Sequence, residues 1–200
     1  MVDFIYLASQ SPRRRQLLDQ LGVRYELLLA DSAEDAEALE AVHANEVPAQ
    51  YVQRVTALKL DAALARLARR NLPPAPVLCA DTTVALGPTL FGKPDDAAHA
   101  ERMLSALAGR SHQVLTAVAV QQGLQRFEAV STSQVSFQAM TSAQIKAYAD
   151  SGEPLGKAGA YAIQGKIAMH ITRIDGSYSG IMGLPLWETA ALLRAAGLEI

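Results

Sequence analysis

Cys79-Ala80-Asp81-Thr82-Thr83-Val84 changes character within a few residues. The run that leads into it, Pro76-Val77-Leu78-Cys79-Ala80, is short and apolar, as a buried strand is. It ends on a carboxylate followed by two hydroxyl residues. An aspartate at the end of such a strand is held rigidly and is open to a ligand. The other chemically suggestive pieces are a Ser/Arg cluster upstream and Lys93 and Gln164 downstream. Each is read as a group brought towards Asp81.

Upstream, Phe4-Ile5-Tyr6-Leu7-Ala8 is another short apolar run, punctuated by Ser9-Gln10-Ser11-Pro12. Pro12 suits the first position of a helix with Ser11 as N-cap, and Gly22 closes that helix after Leu21. Strand, polar loop and helix N-terminus in that order attract anions, and Arg13 and Arg14 add charge to a possible phosphate seat. The same spacing is equally that of a capped surface helix with solvated arginines. Tyr25 to Ala30 reads as a second strand. Asp31 to Glu46 is acidic and Ala-rich without a firm period, a loop or frayed helix that carries Glu34 and Asp35. Pro48 to Arg70 has helical spacing and carries Lys59, and Asn71-Leu72-Pro73-Pro74 stops it.

Downstream, Leu86 to Leu90 reads as a hairpin tip and Asp95 to Ala108 as a helix ended by Gly109. Val114 to Val120 and Phe127 to Phe137 read as two long strands joined near Gln121-Gln122-Gly123. Thr141-Ser142-Ala143-Gln144 matches a capping box. Gly156 to Gly165 is Gly-rich without amphipathic period and is read as a binding loop. A strand near Ile167–Ile174, a Gly-punctuated loop to Gly183 and a helix from Pro185 to Ala196 complete the chain. Helices alternate with strands early and strands crowd the centre, which predicts an α/β fold with a mixed sheet. No repeat or linker divides residues 1–200, so one domain is expected.

The 200 residues are 50% hydrophobic and 19% charged, enough for a full core. The formal net charge of −2 does not nominate a nucleic-acid polymer as partner. A small phosphorylated ligand needs only a few local cations. The single cysteine, Cys79, precludes an internal disulfide framework and suits a reducing compartment. The N-terminus lacks a basic n-region and no apolar stretch reaches the ~20 residues that span a bilayer, so a cytoplasmic protein is expected.

Several common chemistries find no motif here. Walker A, G-x-G-x-x-G after the first strand and G-x-S-x-G are all missing. His43, His99, His112 and His170 have no metal-site spacing. What remains is carboxylates, cations and hydroxyl or amide groups. Carboxylate and phosphate oxygens suit a hard divalent cation, which points to hydrolysis of a phosphate ester or anhydride.

The motifs Leu7-Ala8-Ser9-Gln10-Ser11-Pro12-Arg13-Arg14, Ala80-Asp81-Thr82-Thr83-Val84, Gly92-Lys93-Pro94, Lys157 to Gly165 and Gly183-Leu184-Pro185 occur in one order. Together they resemble the Maf family of nucleotide pyrophosphatases, from Ile5 to about Leu193. The resemblance implies a fold related to the inosine-triphosphate pyrophosphatases: an elongated mixed sheet between two lobes around a central cleft. It also implies cleavage of a nucleoside triphosphate to the monophosphate and pyrophosphate with Mg²⁺, Mn²⁺ or Co²⁺, often by a homodimer. Ser-Pro-Arg-Arg, Ala-Asp-Thr and the Ile-Gln-Gly loop resemble the branch acting on dTTP and UTP. The 7-methyl-GTP branch usually has an aromatic residue after the proline and lacks the Gln loop.

Residue by residue, Asp81 resembles the family's catalytic proton acceptor. Arg13, Thr82 and Gln164 match positions tuning base choice, Ser9 and Arg14 the phosphate-binding loop, and Lys59 and Lys93 cationic phosphate contacts. Glu34 falls where the family has an acidic residue that binds metal with Asp81. There are three departures. Ala33 precedes Glu34 where a tandem acid is common, so that ligand is Glu34 or Asp35. Lys59 sits in Leu58-Lys59-Leu60 rather than Glu-Lys-Ala, and Gly156 replaces an Asp. Two other functions stay open: a pyrophosphatase for 7-methyl-GTP or another non-canonical nucleotide, and a nucleotide-binding regulator of septum formation with little turnover.

Overall fold

The computed structural model describes residues 3–31, 34 and 38–200. Its sheet has seven strands: β1 (Ile5–Leu7), β2 (Tyr25–Leu27), β3 (Val77–Leu86), β4 (Thr89–Phe91), β5 (Ser111–Gln122), β6 (Gln125–Phe137) and β7 (Ile171–Asp175). The order is β2-β1-β3-β5-β6-β7, with β4 beside β3. β1 is parallel to β2 and β3, and every other pairing is antiparallel, so the sheet is mixed as expected. The helices are α1 (Pro12–Gln20), α2 (Pro48–Arg69), α3 (Ala97–Leu107), α4 (Ser142–Ala149), α5 (Tyr178–Met182) and α6 (Leu186–Ala195).

The pleat of β3 decides what lies where. Successive side chains of a strand point to opposite faces. Val77, Cys79 and Ala85 face α2, whose Val52, Val55, Leu60 and Ala63 are fully buried against the sheet. Leu78, Ala80 and Val84 face the larger core, which holds Leu17 and Leu18 of α1, Leu104 and Leu107 of α3, Ile145 of α4 and Leu193 of α6. By the same alternation Asp81 points to the α2 side and Thr82 to the α1 side.

β3 does not end at Asp81. It continues to Leu86 because β5 pairs with it from Val77 to Ala85, and the β-branched Thr82, Thr83 and Val84 suit that pleated surface. What ends there is the neighbour on the other side. β1 pairs with β3 no further than Leu78, and β4 pairs with it only from Val84 to Leu86. Cys79 to Thr83 therefore have a strand on one side only, with Asp81 at the centre of the gap. The openness expected of a strand terminus arises instead from a window in the sheet.

Most elements match their sequence signals. The capping box at Thr141 and Gln144 forms, and Gly22 and Gly109 take the left-handed conformation where α1 and α3 finish. Three differ. β2 stops at Leu27. Lys166–His170 is a 3₁₀ turn, so β7 starts late. The Gly-punctuated stretch before Gly183 contains α5, capped by Ser177, whose Oγ accepts from the Gly180 N–H at 3.0 Å. Among the described residues no helix is long and apolar enough to cross a membrane.

Candidate active site

Two groups of polar side chains meet at the window in β3, one from each face of the sheet. On the α2 side, Lys59 Nζ donates to Asp81 Oδ1 at 2.6 Å and to Glu40 Oε1 at 2.7 Å. Lys93, just past β4, donates to Glu40 Oε2 at 3.0 Å and Oε1 at 3.2 Å. Glu40 ends a 3₁₀ turn, Ala38–Glu40, that Tyr51 of α2 holds by donating its hydroxyl to the Glu40 carbonyl at 3.0 Å. Burial alone would raise the Glu40 carboxyl, but Lys59 and Lys93 outweigh it and keep it below its ordinary range. Burial, with Asp81 and Glu40 nearby, pushes the Tyr51 phenol up to about 12, so it stays a donor.

On the α1 side, Arg14 donates to the Gly183 carbonyl at 2.7 Å and to Ser9 Oγ at 3.1 Å, and reaches Thr82 Oγ1 at 3.5 Å. Ser9 Oγ also accepts from the Ser11 N–H at 3.2 Å, shaping the loop before α1. Burial depresses the Arg14 guanidinium while Asp81 opposes that shift, and so intrinsically strong a base keeps its charge. Arg13 reaches the Met182 carbonyl at 3.4 Å. Across the strands, Thr82 Oγ1 lies 2.9 Å from Thr116 Oγ1, and Thr116 donates to the Gly180 carbonyl at 2.7 Å. Since Thr116 spends its proton on Gly180, Thr82 donates to Thr116 and receives from Arg14.

A cleft of about 1130 Å³ joins the two groups. Ser9, Arg13, Arg14, Lys59, Asp81, Thr82 and Lys93 all line it, together with Glu40. With Glu34, eight residues singled out from the sequence thus share one cavity.

Glu34 also lines it but has other partners. Its carboxylate takes Arg66 Nε and Nη2 at 2.9 and 2.6 Å and Arg69 at 2.7 Å. Arg66 holds its carboxyl down to about 2 against the opposing effect of burial, and Arg69 adds to the pull. The acid that shares a cation with Asp81 is Glu40, which the sequence reading missed. Asp35, the other candidate, lies outside the described residues. The signal available for Glu40 was spacing: it precedes α2, where Tyr51 and Lys59 can both reach back to it.

Two carboxylates of separate elements gathered around one positive centre, the Lys59 ammonium, form a cation seat. Asp81 and Glu40 are the residues that could hold a divalent ion. No cluster of three or more His, Cys, Asp or Glu suited to a metal occurs among the described residues. A two-carboxylate seat fits Mg²⁺-type ions, which take one or two protein carboxylates and complete their shell with phosphate and water.

The family profile described as "Maf-like protein" matches residues 4–196. The chain belongs to the Maf family. A Polaromonas relative named "dTTP/UTP pyrophosphatase" is 66% identical over 198 residues, covering 99% of this chain and 98% of its own. One of the same name from Albidiferax ferrireducens is 64% identical over 200 residues, the full length of both. Among solved structures, that of the Staphylococcus aureus Ham1 protein is similar with a TM-score of 0.40 and 14% identity, covering 66% of this chain and 71% of the other.

The Gly-rich loop of this Maf chain forms one wall of the cleft through Gly156, Lys157, Ala158 and Tyr161. Gln164 is exposed and is not among the lining residues. Gly159 and Ala160 both take left-handed backbone, at φ +69° and +61°. The Gly159 N–H donates to the Gly92 carbonyl at 3.0 Å, tying the loop beside Lys93. A Cβ on Gly159 would stand 2.7 Å from a Val84 methyl. Gly159→Ala is expected to cost about 2–5 kcal/mol, from left-handed strain plus overpacking, read as a lower urea midpoint.

Proposed function

We propose that this chain hydrolyses dTTP and UTP, or modified pyrimidine triphosphates, to the monophosphate and pyrophosphate, in the cytoplasm and as a homodimer. The observation that carries the reading is the convergence of Asp81, Glu40, Lys59, Lys93 and Arg14 on one cleft. The full-length relatives named dTTP/UTP pyrophosphatase support the substrate class.

The proposed chemistry uses this geometry. Asp81 accepts a proton from the water that attacks the α-phosphorus, and the bond to the bridging oxygen of the β-phosphate breaks. Lys93 and Arg14 stand on either side of the window and neutralise charge building on the departing pyrophosphate. Ser9 and the start of α1 receive phosphate oxygens. Arg13 and Thr82, which line the cleft, tune the choice of base; Thr82 does so as an acceptor, since its proton is committed to Thr116. Mg²⁺, Mn²⁺ or Co²⁺ held by Asp81 and Glu40 would supply concentrated positive charge to the phosphates and lower the pKa of water.

The test is pyrophosphate release from the purified protein against a panel of nucleoside triphosphates, with Mg²⁺ or Mn²⁺ and with EDTA. Metal-dependent turnover of dTTP and UTP well above the purines is the expected result. Preference for 7-methyl-GTP would overturn the substrate assignment and keep the mechanism. No turnover by folded protein would sink the enzymatic reading and favour the regulator.

A further inference from the structure

Lys59 occupies an odd position for a phosphate-binding lysine. Its ammonium does not point freely into the cleft. It sits between the two carboxylates of the cation seat, 2.6 Å from one and 2.7 Å from the other, with its side chain only 20% exposed. These are short charge-assisted bonds, about twice as strong as neutral ones. Asp81 is 8% exposed, and without a positive charge between them the two carboxylates would repel one another in a poorly solvated place.

We propose that Lys59 is a resident counter-cation that a divalent ion must displace, so that loading the metal releases an ammonium for the triphosphate. The inference rests on Asp81 and Glu40 being the cation seat. Lys59 Nζ occupies the place between Asp81 Oδ1 and Glu40 Oε1 where a cation held by both carboxylates would sit. An ammonium and a divalent ion repel, so they do not share those oxygens. Lys59 hangs from the middle of α2, and its unbranched stem lets the charged end swing while the helix stays packed. Lys93 holds Glu40 alone, Oε2 at 3.0 Å and Oε1 at 3.2 Å, and does not bridge the pair.

The consequence is a conditional site. With no nucleotide, the ion must dislodge Lys59 with nothing to receive it, and binding is weakened. With a triphosphate in the cleft, the displaced ammonium gains a new anionic partner. Metal and nucleotide thereby help each other to bind, beyond their own affinity in solution.

The experiment uses full-length protein without nucleotide. Calorimetry with Mn²⁺ is expected to show Lys59→Met binding at least about tenfold more tightly than wild type, the size of giving up charged hydrogen bonds. Lys93→Met removes the same charge from beside Glu40 without opening the bridge, and its gain is expected to be clearly smaller. In wild-type protein, the Lys59 ammonium gives a proton–nitrogen NMR correlation, assigned by its loss in Lys59→Arg. Mg²⁺ is expected to shift or abolish that signal. Equal gains in both variants, or no gain in Lys59→Met, would overturn the proposal. So would an unmoved Lys59 signal in wild type saturated with Mg²⁺, a result that stands even if Lys59→Met does not fold. No ion binding in wild type or variant would remove the seat itself and the exchange with it. None of these readouts depends on turnover, so a failed pyrophosphatase assay and a failed exchange remain separate results.

Discussion

Asp81→Asn is expected to lower pyrophosphate release by about 10²–10⁴-fold, the range lost with a general base, while the protein remains folded. The substitution preserves shape and one acceptor oxygen, and Lys59 keeps its bond to Glu40 at 2.7 Å. β3 is paired with β5 on both sides of position 81, so the strand does not depend on the carboxylate. Steady-state turnover with a parallel thermal melt checks both halves. Near-normal turnover in Asp81→Asn would remove the central assignment of the site.

The second large effect separates two acids. Glu40→Gln is expected to lower turnover by about 10²–10³-fold, as loss of a placed charge in a catalytic site does. Glu34→Gln is expected to leave turnover near wild type and to reduce stability by about 1–3 kcal/mol, because Arg66 is buried and loses its ionic partner. The pH dependence has a definite sign. A carboxyl held at about 2 when folded and near 4.5 when unfolded stabilises the fold fully above 4.5, and that stabilisation is lost as pH falls towards 2. Glu34→Gln should therefore flatten the acid limb of the stability profile. The reverse pattern, with turnover lost in Glu34→Gln and retained in Glu40→Gln, would restore Glu34 as the functional acid.

That pair of acids marks the limit of what the sequence discloses. The centre of the site was legible because its residues sit in short-range patterns. An apolar run meeting Asp-Thr-Thr, a Ser-Pro-Arg-Arg helix start and a lysine on a helical period each have a local signal. Between Asp31 and Glu46 no local pattern ranks one acid over another. What separates their surroundings is α2, which contributes arginines near its C-terminal end to Glu34 and Tyr51 and Lys59 nearer its start to Glu40. The window in β3 was hidden for a similar reason. It depends on β1 stopping at Leu7 and β4 ending at Phe91 opposite Val84, facts of pairing between separate segments. α5 was concealed by Gly180 and Gly183, residues that signal loops, although Gly180 is small because Ser131 and Ser177 crowd it.

The hydroxyl chain behind Thr82 has an electrical sense. Arg14 gives a proton to Thr82, Thr82 gives one to Thr116, and Thr116 gives one to the Gly180 carbonyl. Every O–H vector therefore runs from the α1 wall into the protein and none runs outward. On the function proposed above, a nucleotide group reaching Thr82 Oγ1 meets its remaining lone pair and not its proton. On that reading Thr116, fully buried directly behind Thr82, sets which half of a hydrogen bond a substrate group brings to Thr82. A Thr116→Val variant would free the Thr82 hydroxyl to turn round and offer its proton to the cleft.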